Sequence, residues 1–345
     1  MRTTRLILTA ASLVVLLLLA GTAGAATADG GERSVTVTDD SGKTVLIREE
    51  PQRIVSLAPS NTEILYALGL EDRIVAVTER CDYPPATADK PKVGGFSTVN
   101  IEKVIAMEPD LIFAAPANTD EVIDRLRSLG MTVVILDPQT ITGVLHDIEL
   151  AGRATGQEEQ ASTLIEGLRA RIGAVAEKAA ESTAGDPSVA HVIWHDPLWV
   201  SGRGTFQGEV ITLAGGTNAF GSVDDWSIVS LEEFITTNPD YILVSSGSGM
   251  DRDGYDAIYN YIINEPRLQR LDAVRNGHVY VIDADVVSRG SPRIVDALEE
   301  VADYLHPGAS GTGTPEAAGT VQSPGFGGIT LICALSAAVL LLKKR

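Results

Sequence analysis

The chain has 345 residues and a formal net charge of −19, with 46 acidic residues against 27 basic ones. This excess of negative charge argues against nucleic acid as a partner, because a phosphate backbone needs a basic surface. The two cysteines exclude a framework of several disulfides, and the length is sufficient for two domains of ordinary size.

Residues 1–26 have the pattern of a secretory signal. Arg2 and Arg5 precede an apolar run from Leu6 to Ala20, and small residues follow at 23–25. A positive flank, a short apolar core and a small-residue exit predict cleavage near residue 26, which places the protein outside the cytoplasm. An N-terminal membrane anchor is the alternative interpretation.

Residues 34–140 alternate between strand and helix patterns and predict an N-terminal α/β lobe. The lobe begins with an edge hairpin over 34–49, followed by a strand over Arg53–Leu57. Ser60 and Glu63 have the spacing of a capping box and predict the start of the next helix. Further strands are predicted at 74–77, 111–114 and 132–136, with helices at 100–108 and up to residue 130.

Residues 141–184 contain almost no strand pattern and predict a linking helical segment. Gly152 and Gly156 are candidate breaks within it. The portion Glu158–Glu181 carries apolar residues at helical spacing and would span roughly 36 Å at 1.5 Å per residue. A helix of that length favours a stiff connection between two lobes over a flexible hinge.

Residues 185–306 repeat the alternation and predict a C-terminal α/β lobe. Strands are expected at 189–194, 241–244 and 279–282, with a final helix over 292–305. The predicted fold class is therefore α/β, with two lobes built on central, mostly parallel sheets that helices cover on both faces.

The C-terminal residues predict attachment to a membrane. Residues 307–323 are rich in Gly, Ser, Thr, Ala and Pro, which predicts a flexible tether. In the segment 324–345, the apolar run Gly327–Leu342 is followed by three basic residues. Ser323–Phe326, just before that run, resembles the archaeal PGF-type sorting signal, which implies that a lipid replaces the helix. A plain transmembrane anchor is the alternative, and both outcomes tether the protein to the outer face of the membrane.

A stretch of the first lobe recurs in the second. Residues 100–112 reappear in altered form at 230–242, so that Glu102 matches Glu232 and Asp110 matches Asp240. An acidic residue in the first turn of a helix is favoured by the helix dipole and needs no partner. Matched placement in both lobes also suits two carboxylates that meet two-fold-related cations on a dimeric partner.

Aromatic residues are the main candidates for ligand contact. The three tryptophans, Trp194, Trp199 and Trp226, all belong to the first part of the second lobe. Trp194 is predicted at a strand end and Trp226 in a loop, the places where open α/β sheets bind ligands, so both rank above Trp199. Each of them could equally be a core or rim residue.

Other loops contribute Ser60, Tyr83, Phe96 and Arg289 as candidates. Arg289 precedes the last helix and suits either an anionic or amide-rich ligand or a structural ion pair. The five histidines have no close spacing of the kind found in metal sites, so no metal ligand is predicted.

Three runs together, Arg53–Gly69, Cys81–Pro85 and Lys92–Phe96, resemble the cobalamin and iron-chelate binding proteins of ABC importers, the class III or vitamin B12-binding type. The resemblance implies two Rossmann-like lobes joined by a long rigid helix, with the ligand between them. It also implies that Glu102 and Glu232 dock on arginines of the dimeric permease. Four aromatic residues match positions around the corrinoid in vitamin B12 binders: Tyr83, Phe96, Trp194 and Trp226.

The sequence therefore predicts a surface-anchored substrate-binding protein that captures cobalamin or a related corrinoid and delivers it to an ABC importer permease with its ATPase. A ferric siderophore or haem is the alternative cargo. A surface hydrolase is a remote alternative, because neither a nucleophile elbow nor a Ser-His-Asp set can be assembled, and a purely adhesive protein is another. Catalytic residues and a resident cofactor are not predicted.

Overall fold

The computed structural model describes residues 34–182, 185–246 and 257–307. The predicted signal (1–26), the C-terminal segment (324–345) and all but the first residue of the predicted tether (307–323) lie outside the described residues. The chain divides into two compact units. The first comprises the described residues up to Asp137 together with Asp147–Ser162, and the second comprises Pro138–His146 together with the described residues from Thr163 onward.

The first unit contains an antiparallel hairpin and a four-stranded parallel sheet. The hairpin strands are β1 (Val35–Thr38) and β2 (Thr44–Ile47). The sheet has the order β4-β3-β5-β6, with β3 (Ile54–Ser56), β4 (Ile74–Val77), β5 (Leu111–Ala114) and β6 (Val133–Ile135). β3 and β5 are buried along their whole length, as expected for central parallel strands with covered faces.

Three α-helices of the first unit are α1 (Pro59–Ala67), α2 (Ile101–Ala106) and α3 (Asp120–Ser128), and two short 3₁₀ turns cover Pro85–Asp89 and Pro116–Asn118. The capping box predicted at Ser60 is wrong. Helix α1 begins two residues earlier than a cap at Ser60 requires, with Ala58 as its N-cap and no side-chain cap. Pro59 takes the first helical position, where its fixed φ and missing N–H suit the start of a helix.

Two consecutive helices follow the first sheet, α4 (Ile141–Thr155) and α5 (Glu158–Glu181). The prediction of α5 is confirmed to the residue. Of the two candidate breaks, only Gly156 ends a helix, with a positive φ of 75°. Gly152 lies inside α4, where an added Cβ would approach the Cβ of Ala161 to 2.5 Å, so it allows the two helices to pack closely.

The second unit is built on a six-stranded sheet with the path β10-β8-β7-β11-β12, and β9 pairs with β7. Its strands are β7 (Ser188–His195), β8 (Leu198–Ser201), β9 (Thr217–Asn218), β10 (Trp226–Ile228), β11 (Tyr241–Ser246) and β12 (Val279–Asp283). Strands β9, β7, β11 and β12 are parallel, whereas β8 and β10 extend the sheet in antiparallel fashion. These last two strands were not predicted.

Six helices cover this sheet among the described residues. They are α6 (Phe206–Leu213), α7 (Leu231–Thr237), α8 (Ala257–Asn264), α9 (Asp272–Asn276), α10 (Ala284–Ser288) and α11 (Ile294–Leu305). The core between α7, α8 and the strands includes Phe234, Ile242 and Ile262, which are almost fully buried. The α/β class with mostly parallel sheets and a long helix is confirmed.

Within the described parts of the chain, no helix combines the length and the apolar character needed to cross a membrane.

Candidate functional site

The sequence repeat has the same local structure in both units. Asn100 caps α2 by accepting from the backbone N–H of Lys103 at 2.9 Å, and Ser230 caps α7 by accepting from Glu233 at 3.0 Å. Behind each helix, an aspartate binds the backbone at the start of the neighbouring parallel strand. Asp110 accepts from the N–H of Arg53 at 3.0 Å, and Asp240 accepts from Ser188 at 2.9 Å.

Glu102 and Glu232 occupy equivalent places in this repeated structure. Each is the second residue of its helix, in the first turn, and each is exposed to solvent. A carboxylate there interacts favourably with the N-terminal end of the helix dipole and stays available to a partner. The repeat therefore presents one exposed carboxylate on each unit.

In the first unit, Phe96 is carried on a tight turn that begins at Gly94. The backbone of Gly94 has φ 104°, and an added Cβ would lie 2.6 Å from the carbonyl oxygen of Thr98. The buried Asn118 fixes this turn, because its Nδ2 donates to the carbonyl oxygens of Phe96 at 2.6 Å and Leu57 at 2.8 Å. Leu57 directly follows β3, so the turn is tied to the carboxyl edge of the sheet, with the phenyl ring partly exposed.

Tyr83 and Ser60 also follow the carboxyl ends of parallel strands. Tyr83 is 43% exposed and precedes a cis peptide bond to Pro84 in the loop after β4. Ser60 lies in α1, directly after β3, and is partly exposed. Cys81 is buried and its Sγ lies 3.1 Å from the hydroxyls of Thr62 and Thr78, so the thiol is enclosed within the unit.

In the second unit, all three tryptophans line one cavity of about 480 Å³. The cavity lies at the carboxyl ends of β7, β11 and β12, the edge at which open parallel sheets bind ligands. Its volume is in the range of small-molecule sites. The remaining described lining residues are Ile193, Gln207, Ser245, Ala284, Asp285 and Ser288.

The antiparallel strands explain how the tryptophans meet. Trp194 at the end of β7 is paired with Trp199 of β8, and β8 is paired in turn with β10, which Trp226 begins. The prediction that Trp226 lies in a loop is thus wrong: it is the first residue of an edge strand and is 50% exposed. Trp199, which was ranked below the other two, lines the same cavity.

A buried histidine lies next to the cavity and contacts the lining residue Ser245. His191 in β7 is fully buried, with Nδ1 2.8 Å from the hydroxyl of Ser201 and Nε2 3.1 Å from that of Ser245. Burial lowers the pKa of His191 to about 3, so the ring stays neutral at physiological pH. A neutral ring donates to one hydroxyl and accepts from the other, which fixes the orientation of Ser245 at the cavity.

Polar groups from α6 and α10 form another side of the cavity. The Nε2 of Gln207 donates to the hydroxyl of Ser288 at 2.8 Å. Arg289, predicted to lie in the loop before the last helix, is the C-cap residue of α10, and its guanidinium pairs with Asp285 at 3.0 Å. Arg289 thus forms an ion pair with one of the cavity residues. Sequence reasoning missed Gln207, Ser245, Asp285 and Ser288, which carry no motif or periodic signal.

Within residues 34–182, 185–246 and 257–307, no group of three or more His, Cys, Asp or Glu side chains is arranged to hold a metal ion. The polar groups of the described cavity lining are the hydroxyls of Ser245 and Ser288, the amide of Gln207, the indole N–H groups and Asp285 with its partner Arg289.

Comparison with known proteins matches residues 54–286 to a family described as periplasmic binding protein. An uncharacterised ABC transporter substrate-binding lipoprotein of Bacillus subtilis is 34% identical over 79% of this chain and 86% of its own length. The crystal structure of the periplasmic vitamin B12-binding protein of Vibrio cholerae superposes with a TM-score of 0.64 at 31% identity, covering 74% of this chain and 97% of that one. A periplasmic haem-binding protein of Roseiflexus gives a TM-score of 0.66 at 25% identity, covering 75% and 99%.

Proposed function

The chain belongs to the periplasmic binding protein family, and we propose that it captures a corrinoid, cobalamin or a close relative, for import by an ABC transporter. The observation that carries this proposal is the cavity lined by three tryptophans. Flat aromatic walls gain free energy by burying apolar area and by stacking, which suits the broad face of a macrocycle. The similarity to vitamin B12-binding proteins supports the same cargo.

Two features of the cavity favour a corrinoid over haem or a ferric siderophore. Among its described lining residues none is Lys, Arg or His, so an anionic ligand group would find no cation of the lining itself. Asp285, the one acidic residue of the described lining, is engaged by Arg289. Haem and many ferric chelates carry carboxylates, and their burial without a matched cation is costly. Haem remains the second candidate, supported by the fold shared with a haem-binding protein.

Delivery to the transporter would use the repeated helices. We propose that Glu102 and Glu232, one exposed carboxylate on each unit, bind basic residues of a dimeric permease that works with an ATPase. Exposed charges of this kind guide and orient association more than they stabilise a fold.

The location of the protein is a further part of the proposal. The sequence features of residues 1–26 and 324–345 support export followed by attachment at the outer face of the membrane. A substrate-binding protein held there would stay close to its transporter.

The test of the cargo is calorimetric titration of the purified full chain with cyanocobalamin, haemin and a ferric siderophore. A corrinoid receptor should bind cyanocobalamin with a dissociation constant of about 1 μM or below, which corresponds to about 8 kcal/mol. Tighter binding of haemin, or no heat with cyanocobalamin at tens of micromolar, would overturn the corrinoid assignment.

A further inference from the structure

Gln207 is a buried amide at the start of α6, and its backbone is fixed. It is the second residue of the helix and only 2% exposed. The N-cap Thr205 accepts from the backbone N–H of Gly208 at 3.0 Å and donates to the carbonyl of Gly202 at 2.9 Å. The loop before the helix and its first turn are thus locked together, so Gln207 faces the cavity from a rigid base.

One end of this amide has no partner. Nε2 donates to Ser288, but the buried Oε1 has no hydrogen-bond partner among the described residues. Leaving a buried polar atom unpaired costs roughly 1–3 kcal/mol, and such atoms are uncommon in native proteins. Because Gln207 lines the tryptophan cavity, a bound ligand is the natural source of the missing hydrogen bond.

The charge balance of the cavity limits what that ligand group can be. Asp285 is the only ionisable side chain among the described lining residues, and it is an acid. In the observed orientation a carboxylate of the ligand would meet the acceptor oxygen of Gln207, and in either orientation of the amide it would find no matched cation among the described lining residues. A neutral N–H donor satisfies Oε1 without burying a new charge.

The amide group of Gln207 can also rotate so that its oxygen and nitrogen exchange places, because the hydroxyl of Ser288 can either accept or donate a hydrogen bond. After that rotation Gln207 would offer N–H to the cavity in place of oxygen. A primary carboxamide complements both orientations, since it carries two donors and a carbonyl acceptor. It is therefore the ligand group that fits this position best.

We propose that Gln207 determines ligand specificity by hydrogen-bonding a neutral carboxamide of the cargo at the polar side of the tryptophan cavity. The inference rests on the proposed function and deepens it. Corrinoids carry carboxamides around the macrocycle, whereas haem carries two propionate carboxylates. Gln207 would hydrogen-bond a carboxamide at the periphery of the macrocycle, while the tryptophans contact its apolar surface.

The first test compares cyanocobalamin binding by the full-length wild-type chain and by Gln207→Met, which keeps a similar side-chain length and removes both polar atoms. The expected result is about tenfold weaker binding, the loss typical of a single hydrogen bond in a desolvated site. Gln269→Met is the matched control, because Gln269 is exposed and donates only to backbone carbonyls. Its affinity should equal that of the wild type.

The second test changes the ligand. Monocarboxylic acid derivatives of cyanocobalamin have a single carboxamide hydrolysed to an acid. At least one should bind the wild-type chain about tenfold more weakly than cyanocobalamin, and Gln207→Met should not weaken that derivative further. The comparison of ligands needs only the wild-type chain, so it can still refute the proposal if the methionine variant fails to fold.

The outcomes separate the two proposals. A wild-type chain that does not bind cyanocobalamin refutes the proposed function and this inference with it. A wild-type chain that binds cyanocobalamin and all the monoacids equally well, or a folded Gln207→Met that binds as tightly as the wild type, refutes the role of Gln207 alone.

Discussion

Trp194 and Trp199 are directly opposite each other in the antiparallel register of β7 and β8. A register shift in β7 between Val192 and Trp194 lies beside this pair, and both indoles line the same cavity. The indole N–H of Trp194 donates to the carbonyl of Asp196 at 3.0 Å, which fixes that ring from the loop between the strands. The cavity is thus bounded by side chains whose positions are set by backbone pairing.

Trp226→Ala should weaken corrinoid binding without loss of stability. The indole lines the cavity but is 50% exposed on the edge strand β10, so it contributes contact area to a ligand and little to the core. We expect a loss of about 1–2 kcal/mol in binding, measured by calorimetry, with an unchanged melting temperature. Ile228→Ala, on the same strand and 57% exposed, is the control. Equal losses in both variants would contradict a specific role for Trp226.

Replacing both docking candidates by alanine should abolish uptake while ligand affinity stays at the wild-type value. Glu102 and Glu232 are exposed and lie on helices that contribute no residue to the tryptophan-lined cavity. The measurement is transport of labelled cobalamin by cells that carry the cognate transporter. Glu233→Ala, which removes the neighbouring carboxylate of the same helical turn, is the matched control. Lost ligand affinity in the double variant would refute this separation of capture from delivery.

Asp147→Asn should stabilise the protein at neutral and alkaline pH. The side chain is 1% exposed, and burial, together with the neighbouring Asp40 and Asp137, raises its pKa to about 9. An unfolded aspartate has a pKa of about 3.9, so the folded state holds a proton that the unfolded state releases. The stabilisation that comes from this bound proton is fully present below the unfolded pKa. It is lost as pH rises towards about 9, by up to about 1.4 kcal/mol per pH unit.

Urea unfolding at pH 5 and pH 8 measures this effect. The wild type should lose stability between the two values relative to Asp147→Asn, whose amide does not ionise. Glu149→Gln, an exposed change on the same helix, should keep the wild-type dependence on pH. A wild-type curve parallel to that of Asp147→Asn would show that Asp147 is ionised in the folded state.

Asp110→Ala and Asp240→Ala should each destabilise the unit that contains them. Each carboxylate accepts backbone hydrogen bonds at the start of a central strand, from Gln52 and Arg53 in one case and from Ser188 in the other. Both residues are exposed, so we expect a loss of about 1–2 kcal/mol for either variant by chemical denaturation. The exposed Asp72→Ala is the control. No measurable loss would mean that water replaces these carboxylates at no cost.

The long helix and the first hairpin could be predicted from the sequence, while the antiparallel strands β8 and β10 could not. Helix α5 was identified to the residue because 24 residues supply many repeats of the helical period. Strands β8 and β10 have four and three residues and no short turn joins them, whereas the equally short β1 and β2 flank the recognisable turn at residues 39–42. These two strands carry Trp199 and Trp226. The strands that form this wall of the cavity could therefore not be predicted from the sequence.

Residue type limited the prediction of the candidate site in a similar way. Tryptophans are rare and conspicuous, and their grouping in one part of the chain made Trp194 and Trp226 candidates for ligand contact, with Trp199 ranked below them. Gln207 is an ordinary polar residue within an apolar helix, and only the hydrogen bonds of the folded chain show that one end of its amide is unpaired. For Arg289, the sequence left ligand contact and ion pairing open, because its partner Asp285 is one of several nearby acids.

The grouping of the tryptophans has an optical consequence. The chain contains three tryptophans in total, and all three line the one cavity. Its indole fluorescence therefore originates entirely from the walls of the candidate site, without a background from distant indoles. A coloured macrocycle seated there would receive excitation energy from every emitter at short range. The intrinsic tryptophan fluorescence of this protein should thus report directly the fraction of molecules whose cavity is occupied.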